Sequence, residues 1–279
     1  MHPFLDYRIY LYLKQRHVPI GIYYRDAYWK FPDYFKIRGA KRVEVLLRYR
    51  SDLLLYNHIA SVLFFPTSSL ASVFDTRIPK IILPPGGENK IDKKRDLCQP
   101  VRAIYVGGIT SRYGLDLLLQ SFQLVNQNHQ VILELVCRRE EFDVISNDRG
   151  YLLGFPWLNV HHISGEALEE LYNTVHFGVV PRLKDRYNDL AMPVKLFEYL
   201  SFGLPVIVTH CHEMSQFVKE NGCGLVCKDD PESLAESIQQ LIGDPDLYRV
   251  LSRNAVQAIL HGNLWEDRAR TVAHLLSGE

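Results

Sequence analysis

The run Ala191 to His210, AMPVKLFEYLSFGLPVIVTH, holds a whole helix-to-strand unit. Pro193 fits the first turn of a helix, where its missing N–H costs nothing. Gly203 and Pro205 stop that helix and turn the chain. Leu204 to Val208 is then a short apolar run, as expected of a strand covered on both faces. A unit of this kind belongs in a parallel sheet backed by helices.

The same alternation continues along the chain. Apolar runs predict strands at 20–24, 62–65, 80–83, 103–106, 131–136, 160–163, 177–180, 205–208 and 224–226. Amphipathic stretches predict helices at 33–55, 115–126, 166–173, 194–202, 212–220, 231–242, 246–260 and about 265–276. Asp229 and Asp230 before Pro231, with Glu232 after it, mark one helix start. Gly243-Asp244-Pro245 breaks the chain before the next. The fold class is α/β with parallel sheets. Pro84-Pro85-Gly86-Gly87 and the polar stretch to Gln99 read as a linker between two domains, divided near residue 90. The larger C-terminal part carries a complete doubly wound pattern. The N-terminal part offers about three strands, so that domain is expected either to be shortened or to lack residues that belong before Met1.

Hydrophobic residues make up 47% of 279, enough for a sizeable core. Lys plus Arg and Asp plus Glu number 32 each, which argues against a nucleic-acid binder working by charge alone. No run approaches the roughly 18 apolar residues of a spanning helix. Met1 to Tyr12 mixes Asp6, Arg8 and several Tyr, unlike a cleavable signal. Five Cys without CxxC spacing read as free thiols in a reducing cytoplasm. His210-Cys211-His212 lacks a second pair at ligand spacing, so no metal is expected.

Three loops carry candidate chemistry. Gly107 and Gly108 follow the strand at 103–106 and let a ligand approach the backbone; Arg112 and a helix start come next. Arg182, Lys184 and Arg186 follow the strand at 177–180. Lys195 and Glu198, three apart, share one helix face. A Lys beside free helix N–H groups suits a phosphate, and a carboxylate one turn on suits a pair of sugar hydroxyls. Taken singly, each reads equally as a plain turn, a solvated loop or a surface ion pair. Taken together, they converge on one sheet edge and would hold a nucleotide diphosphate. In the N-terminal part, Arg25 and Asp26 close the strand at 20–24 and are the candidates for acceptor or catalytic contact. His161, His162 and His176 read as strand residues. Arg38, Lys41, Arg42, Arg48 and Arg50 lie among Val45, Leu46 and Leu47. That helix reads either as a solvated face over the core or as a face on an anionic membrane.

On these residues the chain resembles the family-four glycosyltransferases of the GT-B fold. Tyr105-Val-Gly-Gly is similar to the family's opening strand and glycine turn. Asn159-Val-His with Gly165, Leu171 and Tyr172 is similar to its middle signature. PVKLFEYLSFGLPVIV is the most specific match, and Trp265-Glu266 resembles the closing segment. Gly21-Ile-Tyr-Tyr-Arg-Asp-Ala-Tyr-Trp29 resembles an N-domain strand end of bacterial polysaccharide members. The resemblance implies two Rossmann-like domains with parallel sheets. Residues 1–90 form an incomplete acceptor-side domain, 91–262 the donor domain, and 263–279 a helix crossing back to the N-domain. It implies a retaining hexosyltransferase-type enzyme of surface polysaccharide biosynthesis that uses a nucleotide-sugar donor and a glycan or lipid-linked acceptor. It needs no cofactor and no nucleic acid, and it is placed in the cytoplasm or peripherally at the inner membrane face. Glu198 would bind the ribose hydroxyls, and Lys195 with nearby amides the diphosphate. Where the family has the first Glu of a carboxylate pair this chain has Leu190, beside Asp189; the usual Arg and Lys of the glycine loop are Gly108 and Tyr113. Arg112, Arg182 or Lys184 stand as substitutes. The family's N-domain His has no match, with Arg25 near its place. These departures imply an alternative, a degenerate GT-B-like subunit or fragment that binds a partner.

Overall fold

The structure is a computed structural model and describes residues 3–91, 96–149 and 154–278. The chain divides into two compact units, Met1–Pro84 with Glu266–Glu279, and Pro85–Trp265.

The smaller unit begins with α1 (Pro3–Gln15), β1 (Gly21–Tyr23), α2 (Gly39–Ile59), β2 (Val62–Phe65), α3 (Ser68–Ser72) and β3 (Lys80–Ile82). The strands form a three-stranded parallel sheet in the order β1-β2-β3. β2 is buried along its length because it is the central strand. Val62, Phe64 and Leu83 pack with Val272 and Leu276, close to the C-terminus. A second aromatic cluster joins Tyr24, Phe65 and Phe74, with Trp29 stacked on Tyr49 at 5.4 Å. The helix expected at 33–55 starts later, at Gly39, whose φ of +66° no helix can continue through. Arg42 donates to the Phe35 and Ile37 carbonyls and holds the preceding segment as a turn over buried Phe35. α1 and α3 were not expected, because neither carries a clear apolar stripe.

The larger unit contains β4 (Val101–Val106), α4 (Leu115–Val125), β5 (Val131–Val136), α5 (Arg139–Arg149), β6 (Leu158–His161), α6 (Glu166–Tyr172), β7 (Phe177–Val180), α7 (Val194–Ser201), β8 (Val206–Thr209), α8 (His212–Asn221), β9 (Gly224–Cys227), α9 (Pro231–Gly243) and α10 (Pro245–Leu260). α11 (Trp265–Ser277) follows. The six strands are parallel in the order β6-β5-β4-β7-β8-β9. Alternate residues of β4 feed two cores. Val101, Ala103 and Tyr105 meet Leu115, Leu118, Leu119 and Phe122; Ile104 meets Leu196, Phe197 and Leu200. Covering both faces is what makes β7 and β8 almost continuously apolar. Phe122 is fully buried, so truncating it to Ala costs about 3–5 kcal/mol.

β6 begins two residues before the expected 160–163. Trp157 stacks on Phe155 at 4.6 Å, and its carbonyl accepts from Leu133 N at 2.8 Å, so pairing with β5 starts there. The segment expected as a linker is tied down at its start. Gly87 N donates to Asn263 O at 2.9 Å, and Trp265 N donates to Gly87 O at 3.0 Å. Residues 92–95 of that segment lie outside the described residues.

The chain leaves β4 toward one side of the sheet and later returns at β7 to build the other side. The loops after β4 and β7 therefore face each other across the point where strand order reverses, where doubly wound sheets leave a crevice. They touch there. Gly114 has φ +80°, and a β-carbon on it would lie 1.7 Å from Pro181 O. Only glycine allows that approach.

Candidate functional site

Lys195 enters the crevice from the first turn of α7. Its ammonium lies 4.0 Å from the Tyr105 ring centroid and directly over the turn after β4. A β-carbon on Gly107, which has φ +135°, would be 2.7 Å from Lys195 Nζ. The turn itself is braced by two tyrosines. Tyr105 OH donates to Gly108 O at 2.5 Å, and Tyr199 OH accepts from Val106 N at 2.9 Å. Glu141 accepts from Ile109 N at 3.2 Å. Neither the tyrosines nor Glu141 could be singled out in the sequence, since their partners are backbone atoms; for Tyr199 and Glu141 these are distant in the chain.

Arg182, after β7, supplies the second cation. It donates to Asn188 Oδ1 at 3.3 Å and lies 5.9 Å from the Tyr113 ring centroid, while its Nε is buried without a hydrogen-bond partner among the described residues. No described carboxylate lies within ion-pair distance of Lys195 or Arg182. Burial pushes the Lys195 ammonium down to about 7; Arg182 adds to the push, and Glu198 opposes it. Two basic groups at the 107–114 loop, neither paired with a described carboxylate, form a seat for an anion that would restore the Lys195 charge.

Glu198 lies one turn further along α7 and is open to solvent. Protein surrounding it nonetheless raises its carboxyl above the usual range, with Lys195 and then the Tyr172 hydroxyl drawing it back. Because water reaches the residue, that upward push is modest in effect. The buried Tyr172 hydroxyl approaches Glu198 but falls short of hydrogen-bond geometry with any described group.

The remaining candidates separate. Gly108 packs against Tyr113 and shares the turn; Arg112 lies 5.4 Å from the Tyr113 ring centroid, at the rim of the loop. Lys184 pairs with Asp189 at 2.9 Å and donates to His210 O at 3.2 Å, so it braces its own loop instead of joining Lys195. Leu190 is half-buried and has no polar side-chain atom; Asp189 beside it is committed to Lys184 and to His212 N. Arg25 and Asp26 follow β1 in the smaller unit, 3.9 Å apart, Arg25 exposed and Asp26 half-buried.

A cleft of about 740 Å³ opens from the glycine turn along the ends of β5 and β6. Gly107, Gly108, Arg138, Glu141, His162 and Ser164 are among its walls. His162 is held by the Cys137 carbonyl at 2.9 Å, whereas His161 turns to the buried Glu134, which also binds Arg102 and Asn159. Among the described residues no group of three His, Cys, Asp or Glu is placed to hold a metal.

Both units are parallel α/β, and comparisons with solved structures give the fold class as GT-B. A sucrose-phosphate synthase from Thermosynechococcus elongatus superposes with TM-score 0.69 at 19% identity, over 92% of this chain and 67% of that one. WaaG, a glycosyltransferase involved in lipopolysaccharide biosynthesis, gives 0.66 at 17%, over 97% and 81%. A trehalose-6-phosphate protein from E. coli bound with UDP-2-fluoro glucose gives 0.63 at 13%, over 99% and 78%. Residues 100–244, more than half of the chain, match the family described as glycosyl transferases group 1, and the chain belongs to it. No curated protein sequence matches the chain.

Proposed function

We propose that the chain transfers a sugar, with retention, from a nucleotide-diphosphate donor to a glycan or lipid-linked acceptor in surface polysaccharide biosynthesis. The observation that carries this reading is the Lys195–Arg182 pair, Lys195 over Gly107 and Arg182 beside Tyr113 of the same loop, near enough to each other to repel and without a described carboxylate at ion-pair distance. A diphosphate would relieve their repulsion. As the sugar leaves, the charge growing on that diphosphate is what the pair would stabilise. Glu198 would accept from the ribose hydroxyls, and the cleft along β5 and β6 would take the nucleoside. Arg112 would lie at its rim. Arg25 and Asp26 are assigned to the acceptor side. No metal or cofactor is required, since side-chain cations supply the charge. The similar structures support the donor through one bound with UDP-2-fluoro glucose, and the glycan acceptor through one involved in lipopolysaccharide biosynthesis. No described helix is long and apolar enough to cross a membrane. The reading places the chain in the cytoplasm, held peripherally at the inner membrane face.

Calorimetry of the full chain with UDP, GDP and their sugars tests the proposal. Binding of one of them, lost in Lys195→Ala, is expected. A folded chain that binds none rejects it.

One observation favours a second reading. Leu190 stands where the resemblance places a carboxylate, and Asp189 is taken by Lys184. A subunit that keeps nucleotide binding but has lost transfer fits that arrangement. Sugar transfer by the purified chain eliminates it.

A further inference from the structure

Tyr172 closes α6 and is only 3% exposed. Its hydroxyl is shut off from water and has no hydrogen-bond partner among the described residues. A buried donor left unpaired lowers stability. The ring does not account for it. Tyr172 stacks on Phe202 at 4.6 Å and meets Tyr199 edge-on at 6.0 Å, contacts that a phenylalanine would make as well. Those contacts also fix the ring, and with it the direction in which the hydroxyl points.

The group it approaches is Glu198. Glu198 lies four residues before Phe202, the cap of α7, and so on the face that receives the Tyr172 ring. It also lies one turn from Lys195, on the side of α7 that meets the crevice. Burial, with the Glu198 charge adding to it, holds the Tyr172 hydroxyl far above the usual phenol range, so it keeps its proton and stays a donor. Glu198 itself is exposed. A long side chain in water loses rotamer freedom when it takes hold of a ligand. A carboxylate has two acceptor oxygens, enough for a protein donor and a ligand donor at once.

We propose that Tyr172 is a positioning residue for Glu198: with a ribose in the crevice, its hydroxyl donates to one carboxylate oxygen and leaves the other to accept from the ribose. This inference rests on the assignment of Glu198 to the ribose made above. The buried hydroxyl then finds its partner only in the bound state. Stability given up by the free chain returns as affinity for the nucleotide.

The test is calorimetry of the full chain with UDP and GDP, each beside its 2′,3′-dideoxy form. Tyr172→Phe should weaken the ribonucleotide that binds by about tenfold, as loss of a hydrogen bond to a charged group would. Affinity for the dideoxy form should not change. In a Glu198→Ala background the same substitution should change neither. Phe fills the same space and leaves no hydroxyl unpaired, so the variant should melt at or above the wild-type temperature. Wild-type ribonucleotide affinity in Tyr172→Phe overturns the proposal. So does an equal loss with both forms, or a loss that persists without Glu198, since either would assign the effect to the ring. Glu198→Ala alone separates the two readings. If it abolishes the preference for ribose and Tyr172→Phe does not reduce it, only the positioning role falls. If Glu198→Ala keeps that preference, the ribose assignment falls and the positioning role with it.

Discussion

Lys195 stands over Gly107 so closely that its ammonium occupies the space a β-carbon there would need, at 2.7 Å. The residues are far apart in sequence: Gly107 lies in the turn after β4 and Lys195 in the first turn of α7, at the reversal of strand order. Their contact ties the cation to the one backbone conformation that leaves room for it.

Gly107→Ala attacks both partners at once. The backbone at φ +135° is strained for any residue with a side chain, by about 1–3 kcal/mol, and the methyl group displaces the ammonium. Nucleotide affinity should fall at least about tenfold while the chain still folds. Titration beside a thermal melt checks this; unchanged affinity would place the ligand elsewhere.

Lys195→Met should stabilise the protein while weakening nucleotide binding. Between about 7 and its ordinary value, Lys195 is neutral in the folded chain and charged in the unfolded one. The unfolded state thus binds more protons, so stability should rise with pH above about 7, and below it the full cost of the buried charge remains. The Met variant should lose that rise and melt about 2–4 °C higher near neutral pH, as roughly 1 kcal/mol would give. In the wild type, sugar-nucleotide affinity should decline as pH climbs through about 7, because the anion binds the charged form. Melts and titrations across pH would show it.

Glu198→Ala should weaken nucleotide binding by about 1–3 kcal/mol, the range for a charge-assisted hydrogen bond. The same substitution should have no effect on a 2′,3′-dideoxynucleotide. An equal loss with both ligands would mean that Glu198 acts through Lys195 and not on the ribose.

Glu134→Ala tests the sheet rather than the site. It removes the buried acceptor of Arg102, Asn159 and His161. The loss should be about 3 kcal/mol in urea denaturation, the low end for breaking a buried pair, because Arg102 and His161 are partly exposed and can rehydrate.

The strands of the larger sheet were readable because burial on both faces leaves an unbroken apolar run, as in Phe177–Val180 and Val206–Thr209. α5 was not, since Arg139–Arg149 is mostly polar and charged with no continuous stripe. The three loops of the site were readable by residue type. Their division of labour was not. Arg182 and Lys184 look interchangeable in the sequence; what separates them is Asp189, which claims one and leaves the other. Tyr199 is core, but its hydroxyl also accepts from the amide just before the glycine turn. Such helix-to-strand bonds leave no local pattern.

The larger unit closes its own two ends through the bonds of Gly87 with Asn263 and Trp265. It is thus an insertion whose two ends are stapled together, and the smaller unit is written in two pieces. Val272 and Leu276 reach the β2 core only when the final helix has been made. On a ribosome, then, β2 would emerge long before its complete set of neighbours had been made.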